Sequence, residues 1–159
     1  MDFDSFFADR LDRLRADGNY RVFADLEKRC TGEAKAGHHR DGAVRDVTVW
    51  CSNDYLGMGQ NADVKRAMLD TVEACGTGAG GTRNIGGNTV HHRALEAELA
   101  DLHGKEAALL FTSGYVSNWA SLSTLGSQIP NAVILSDEKN HASMIEGIRH
   151  SRADKVLWN

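Results

Sequence analysis

Residues 132–158 read AVILSDEKNHASMIEGIRHSRADKVLW, and they carry the clearest pattern in the chain. An apolar run, AVILS, precedes a stretch with helical spacing, ASMIEGIRH, and a second apolar run, KVLW, follows. Strands that are apolar on both faces are typical of a parallel sheet covered by helices, and parallel neighbours need a crossover between them. The stretch therefore predicts two parallel strands joined by a helix in a right-handed crossover.

The same alternation extends toward the amino terminus. HHRALEAELADLH, residues 91–103, carries Leu95, Leu99 and Leu102 at helical spacing, with Gly104 as its stop. A short apolar strand, AALLF at 107–111, and a helix over 113–125 come next. The order strand, helix, strand, helix, strand predicts an α/β fold with a mainly parallel sheet.

Ligands of open α/β sheets bind beyond the carboxyl ends of the strands, which points to TSGY at 112–115 and to SDEKNHAS at 136–143. TSGY joins a predicted strand to a helix. The first N–H groups of that helix, those of Gly114 and Tyr115, can bind a phosphate. A simple helix cap at Ser113 explains the same residues equally well.

A glycine-rich stretch, GTGAGGTRNIGG at 76–87, begins with the pattern GxGxxG. That pattern marks a dinucleotide-binding turn only where a strand precedes it, and here a predicted helix does. We therefore reject the dinucleotide site. The glycines instead let the backbone approach a ligand or a neighbouring subunit, with Thr82, Arg83 and Asn84 as polar groups at their centre.

The first part of the chain has a different character. Phe3, Phe7 and Leu14 share a helical face and Gly18 follows it, which predicts an amphipathic helix. Residues 30–46, CTGEAKAGHHRDGAVRD, are polar and indicate an exposed connection. We place a domain boundary there, with a helical segment and linker at 1–46 and a second domain over 47–159. A strand over 46–51 and a helix over 61–75, capped by Asn61, follow.

Composition and charge exclude several classes of protein. The chain is 42% hydrophobic and 25% charged, as soluble globular proteins are. Its net charge of -4 offers no broad basic surface for nucleic acid, and no apolar run approaches the roughly 20 residues of a membrane span. The start, MDFDSFFADR, has acids where signal and transit peptides lack them. These features predict a cytoplasmic protein with neither nucleic acid nor membrane as partner.

The cysteines and histidines do not predict a metal site. Cys30, Cys51 and Cys75 lie far apart without a CxxC pair, which favours buried thiols. His91 and His92 are adjacent and so diverge by about 100° on a helix. We expect no metal.

Four motifs together resemble the α-oxoamine synthases, a family of pyridoxal-phosphate enzymes. They are VWCSNDYLGMG at 49–59, GGTRNIGG at 80–87, HHRALEAELADLHGKEAALLFTSGY at 91–115 and SDEKNHASMIEG at 136–147. The first two are the versions found in the branch that makes 5-aminolevulinate. The resemblance implies the three-layer, mainly parallel fold of aspartate aminotransferase, called fold type I. Residues 47–159 would form only the first part of its large cofactor-binding domain.

The resemblance also implies an activity and a cofactor site. The reaction would condense glycine with succinyl-CoA to 5-aminolevulinate, CoA and CO2, the first step of tetrapyrrole and haem synthesis. The active site would lie at the subunit interface of a homodimer. His141 would stack on the pyridine ring of pyridoxal phosphate, and the Gly114 and Tyr115 amides would bind its phosphate. In a bare sequence, His141 is better explained as a surface histidine at a helix start.

The implied substrate contacts are spread along the chain. Arg21 would pair with the carboxylate of succinyl-CoA, a task suited to a guanidinium fork, and Asn53 would hold glycine or the product. Without the resemblance, Arg21 and Lys155 are solvated charges. The remaining implied contacts are Ser136, Lys155 and, bordering the succinyl group, Thr82, Asn84 and Ile85.

The chain departs from the family pattern at two places. Gly86 stands where the family usually has serine, which predicts a more mobile loop. Family members continue past the position of Asn159, and the lysine that bonds to the cofactor belongs to that continuation. We therefore assign no catalytic residue within 1–159 and expect the chain alone to be inactive. Two alternatives stay open: a sister synthase using another acyl-CoA, and a noncatalytic remnant or dimerising partner.

Overall fold

The computed structural model describes residues 2–159 and divides the chain into two compact units, one ending at Gly78 and one spanning Ala79–Asn159. The first holds α1 (Phe3–Ala16), β1 (Asp25–Lys28), β2 (Lys35–Arg40), β3 (Ala43–Thr48), a short 3-10 helix (Met58–Gln60) and α2 (Ala62–Cys75). The second holds α3 (Val90–Leu102), α4 (Gly114–Gln128), β4 (Val133–Asp137), α5 (Ala142–Ser151) and β5 (Asp154–Trp158). No helix in residues 2–159 is long and apolar enough to cross a membrane.

Side chains cap both α-helices of the first unit, and α2 begins where the sequence predicts. The Asp2 carboxylate accepts from the Asp4 N–H at the start of α1. The Asn61 Oδ1 accepts from the N–H groups of Asp63 (2.9 Å) and Val64 (3.2 Å), which caps α2. The predicted amphipathic helix is confirmed, although its apolar face is exposed within the described residues.

The interpretation of residues 30–46 as a plain connection is wrong. They contain β2 and the first four residues of β3, and these strands form with β1 an antiparallel sheet in the order β1-β2-β3. Arg40 pairs with Ala43, and the two residues between them, Asp41 and Gly42, form the hairpin turn that connects β2 to β3. Both turn residues have positive φ (51° and 76°). Because β3 ends at Thr48, the strand predicted over 46–51 lies about three residues too late.

The second unit contains the predicted parallel pair. β4 and β5 are hydrogen-bonded in parallel, with Val133 opposite Asp154 and Ser136 opposite Leu157, and α5 forms the crossover. α5 packs on α4 at close range. A Cβ added at Gly147 would lie 3.0 Å from the Leu122 Cβ and 3.1 Å from the Asn118 carbonyl oxygen. Small residues at this crossing bring the two helices together.

The predicted strand over 107–111 is wrong: this segment is irregular and is not paired with any strand in residues 2–159. Side chains take the place of a neighbouring strand. The Leu110 N–H donates to the Glu96 carboxylate at 2.9 Å, and the Leu110 carbonyl accepts from the Arg83 guanidinium at 3.4 Å. The observed parallel sheet accordingly has two strands where the sequence predicts three.

Burial is also lower than the patterns predict. On α3, Ala100 is buried and Leu99 half-buried, but Leu95 and Leu102 are exposed. This helix contacts the 83–88 loop and the 106–111 segment through its Glu96 side, so its leucines meet little of the unit. The expectation of buried thiols is wrong as well, because all three cysteines are exposed.

Candidate active site

The carboxyl end of β4 faces the start of two helices. Ser113 precedes α4 and caps this helix, since its hydroxyl accepts from the Val116 N–H at 3.2 Å. This cap leaves the first two amides of the helix untouched. Among residues 2–159, the N–H groups of Gly114 and Tyr115 have no hydrogen-bond partner. The helix start therefore keeps two donors for an anion.

The turn between β4 and α5 is fixed by side-chain hydrogen bonds. The Ser136 hydroxyl is buried and accepts from the Asn140 amide at 2.9 Å. His141 caps α5, since its Nδ1 accepts from the Ser143 N–H at 3.1 Å and lies 2.6 Å from the Ser143 hydroxyl. Two contacts to the same residue fix the orientation of the imidazole ring.

His141 lies against the start of α4. Its ring centroid is 6.2 Å from that of Tyr115, with the ring planes at 73°, an edge-to-face contact. The Asn118 amide of α4 also donates to the Ser143 hydroxyl at 3.0 Å. The structure thus brings together Gly114, Tyr115 and His141, the three residues predicted for the cofactor, with Ser136 in the adjoining turn.

Lys155 is placed differently from these residues. It lies opposite Ile134, near the amino end of β5, whereas Ser136 lies near the carboxyl end of β4. Ligands of parallel sheets bind at the carboxyl ends. The register therefore does not bring Lys155 to the group around His141.

The loop that carries Thr82, Asn84 and Ile85 is a tight turn. The Thr82 carbonyl accepts from the N–H groups of Ile85 (3.1 Å) and Gly87 (2.8 Å). A Cβ at Gly87 would lie 1.8 Å from the Gly81 carbonyl oxygen, so only glycine fits there. Asn84 and Ile85 are exposed, Ile85 at 90%.

Arg83 anchors this loop, a role that the sequence analysis missed. Its guanidinium makes a bidentate pair with Glu96 (2.6 and 3.0 Å), and its Nε donates to the Asn88 side chain at 2.9 Å. The Arg83 contact, followed by the Leu110 N–H, lowers the pKa of the Glu96 carboxyl from 4.5 to about 2. The two residues are thirteen positions apart, across a loop and a helix start, so no periodic pattern reveals the pair.

A cleft of about 890 Å³ runs beside this anchor and is lined by Asn84, Arg93 and residues 106–111. None of the three predicted cofactor residues lines it. The cleft is therefore separate from the group around His141.

His92, at the start of α3, has a structural role as part of a helix cap. The His92 Nδ1 accepts from the Thr89 N–H at 3.2 Å and lies 2.8 Å from its hydroxyl, which forms a capping box. Residues 2–159 contain no group of three or more histidine, cysteine, aspartate or glutamate side chains placed to hold a metal ion.

Arg21 and Asn53 belong to the first unit. Arg21 lies in the connection between α1 and β1, and Asn53 follows β3, and both are exposed. Exposure leaves the guanidinium and the amide accessible to a ligand.

Comparison with known proteins places the chain in a family. The sequence family described as aminotransferase class I and II matches residues 45–159. The chain belongs to the aminotransferase class I and II family. It is 59% identical, over 99% of its length, to a 5-aminolevulinate synthase of Rhizobium meliloti. It is 50% identical, again over 99% of its length, to a mitochondrial 5-aminolevulinate synthase of Emericella nidulans.

Solved structures agree with this family assignment. The chain matches a serine palmitoyltransferase of S. paucimobilis, solved with a bound PLP-myriocin aldimine, at a TM-score of 0.76 and 28% identity. That match covers 98% of this chain and 37% of the other. The chain likewise spans 39% of the Rhizobium relative and 24% of the Emericella one. This family member is thus a fold type I fragment, and the resemblance to pyridoxal-phosphate enzymes is confirmed.

Proposed function

We propose that the protein containing this chain condenses glycine with succinyl-CoA to give 5-aminolevulinate, CoA and CO2. The identities of 50–59% to 5-aminolevulinate synthases support this substrate pair. One structural observation carries the proposal. The free amides at the start of α4 and the fixed ring of His141 lie together at the carboxyl end of β4.

These residues fit pyridoxal phosphate. The amides of Gly114 and Tyr115 would bind the phosphate, because helix N-termini favour anions. A Cβ at Gly114 would meet nothing within 4 Å, so the backbone there is open to a ligand. The His141 ring would hold the pyridine ring by stacking. When bound, the cofactor supplies an electron sink for the Cα of glycine.

The substrate residues act by binding and orientation. The Arg21 guanidinium would hold the succinyl carboxylate through two parallel hydrogen bonds, and Asn53 would hold glycine or the product. Thr82, Asn84 and Ile85 would border the succinyl group. Ser136 and Lys155 complete the proposed set, and Lys155 has the least structural support because of its register.

The proposal also includes the oligomeric state and the cellular location of the protein. A homodimer with its active site at the subunit interface would bring a second chain to the exposed loop at Ile85. Light scattering of the full-length protein tests that state. We propose a cytoplasmic location for the protein, although the Emericella relative is named mitochondrial. Fractionation of cells carrying the tagged protein decides between the two.

The deciding experiment compares acyl donors. Full-length protein is incubated with glycine, pyridoxal phosphate and one of succinyl-CoA, acetyl-CoA or a longer acyl-CoA, and the product is identified by mass spectrometry. We expect the highest kcat/KM with succinyl-CoA and 5-aminolevulinate as product. Preference for another acyl-CoA would identify a sister synthase. No release of CoA from any donor would leave the noncatalytic alternative.

A further inference from the structure

One side chain, that of Arg83, joins three segments of the second unit. It contacts α3 through Glu96, the end of its own loop through Asn88, and the 107–111 segment through the Leu110 carbonyl. Glu96 closes the arrangement by accepting the Leu110 N–H at 2.9 Å. The Arg83 guanidinium therefore makes four hydrogen bonds. A fifth hydrogen bond joins Glu96 to the 107–111 segment.

The surroundings make this contact stronger than a surface ion pair. The Glu96 side chain is 12% exposed and that of Arg83 is 30% exposed, so water screens the pair only in part. The two parallel hydrogen bonds also fix the orientation of the Arg83 guanidinium relative to the Glu96 carboxylate, which a lysine ammonium cannot do. The loop around Arg83 has glycine at positions 80, 81, 86 and 87, so its backbone has little stiffness of its own.

The anchored segments lead to both sides of the proposed site. Asn84 and Ile85 directly follow Arg83 in the turn and are exposed. Leu110 lies four residues before Gly114, where α4 begins with its two free amides. The Arg83–Glu96 pair therefore ties the loop proposed to meet the acyl group to the chain that leads to the proposed phosphate site.

We propose that Arg83 and Glu96 are positioning residues that hold the 82–85 turn in the geometry that selects the acyl-CoA. This inference rests on the proposed function. The pair touches neither substrate nor cofactor in the proposed arrangement. It acts through Thr82, Asn84 and Ile85.

The first test is kinetic, in the full-length protein. Arg83→Met removes the fork, Arg83→Lys keeps the charge, and Arg66→Met is the matched control, an exposed arginine in an ion pair with Asp70 on α2. We expect Arg83→Met to lower the succinyl-to-acetyl kcat/KM ratio by about tenfold or more, since small misplacement of a binding group costs such factors. The KM for glycine stays unchanged, Arg83→Lys falls between, and Arg66→Met matches the parent. Equal rises in both Michaelis constants, with the ratio kept, would overturn the proposal.

The second test does not depend on activity. Hydrogen-deuterium exchange of peptides covering 79–88 is compared in the parent, Arg83→Met and Arg66→Met proteins. We expect faster exchange in the loop of Arg83→Met alone, and unchanged exchange across α4 and α5. Unchanged loop exchange would overturn the positioning role whatever the substrate is. If the parent does not use succinyl-CoA at all, the proposed function fails, while the exchange result still decides whether Arg83 holds the loop.

Discussion

Gly147 lies so close to Leu122 that a single added carbon would bring the two Cβ atoms to 3.0 Å. The same carbon would lie 3.1 Å from the Asn118 carbonyl oxygen and from the Trp119 Cα, and main-chain atoms cannot rotate away. The contact fixes how α5 sits on α4. It therefore also sets the distance between His141, at the start of α5, and Tyr115, at the start of α4.

We expect Gly147→Ala to destabilise the protein. Overpacking costs about 1–3 kcal/mol, and the gain in helix propensity from glycine to alanine returns at most about 1 kcal/mol. The free energy of unfolding should fall, measured by denaturant titration. Gly78→Ala is the control, because a Cβ there meets nothing within 4 Å and its φ is not positive. An unchanged midpoint for Gly147→Ala would show that α4 and α5 move apart to accommodate the added carbon without a loss of stability.

The Arg83–Glu96 pair should appear in the pH dependence of stability. The folded pKa of Glu96, about 2, lies below its ordinary value of 4.5, so its contribution is full above pH 4.5 and is lost as the pH falls toward 2. The free energy of unfolding should therefore fall more steeply across this range in the parent than in Glu96→Gln. Glu98→Gln, on the exposed side of the same helix, should follow the parent. A constant difference between parent and Glu96→Gln at pH 5 and pH 2 would contradict the assignment.

Arg21→Lys tests the succinyl contact. An ammonium group cannot make the two parallel bonds of a guanidinium, so the KM for succinyl-CoA should rise while that for glycine stays the same. Steady-state kinetics of the full-length protein measure both constants. Arg66→Lys, in the exposed ion pair with Asp70 on α2, provides the control. An equal rise for both substrates would remove Arg21 from the proposed site.

The lysines of this chain should not bond to the cofactor. Lys139 is 86% exposed and pairs with Glu138, and Lys155 lies at the amino end of β5. After borohydride reduction of the full-length protein with pyridoxal phosphate, mass spectrometry should find the label outside residues 1–159. Lys139→Arg should label as the parent does. Stoichiometric label on one lysine of the chain, among Lys28, Lys35, Lys65, Lys105, Lys139 and Lys155, would relocate the catalytic group.

The parallel strands β4 and β5 and the helix between them could be predicted because the sequence pattern that specifies them is local. Two apolar runs flank an amphipathic stretch, so β4, α5 and β5 follow from residues 132–158 alone. The cap at Asn61 is equally local, since one side chain meets amides two and three residues later. Local patterns thus account for most of the helices and for the pair of parallel strands.

The wrong predictions have more than one cause. Residues 107–111 have the apolar pattern of a strand, yet the partners of Leu110 are side chains 14 and 27 positions earlier. In β2 only Ala36 and Gly37 are buried, so the strand lacks the alternation by which a half-buried strand is recognised. The Asp41-Gly42 turn was the available signal for that hairpin. In the site, the motifs suggest His141 and Tyr115, but their contact depends on the packing of α4 on α5.

The short crossover between β4 and β5 has a consequence for how the chain folds. Val133 pairs with Asp154, which lies only twenty-one positions later in the sequence. Closing the chain between them therefore costs less conformational entropy than pairing strands that are far apart in sequence. Contacts between near neighbours in sequence form fast. Within the second unit, we expect β4, α5 and β5 to become protected in pulse-labelling experiments before residues 79–88, whose loop is held by the contact of Arg83 with Leu110, 27 positions away. Protection of residues 133–158 that lags behind residues 79–88 would argue against this order.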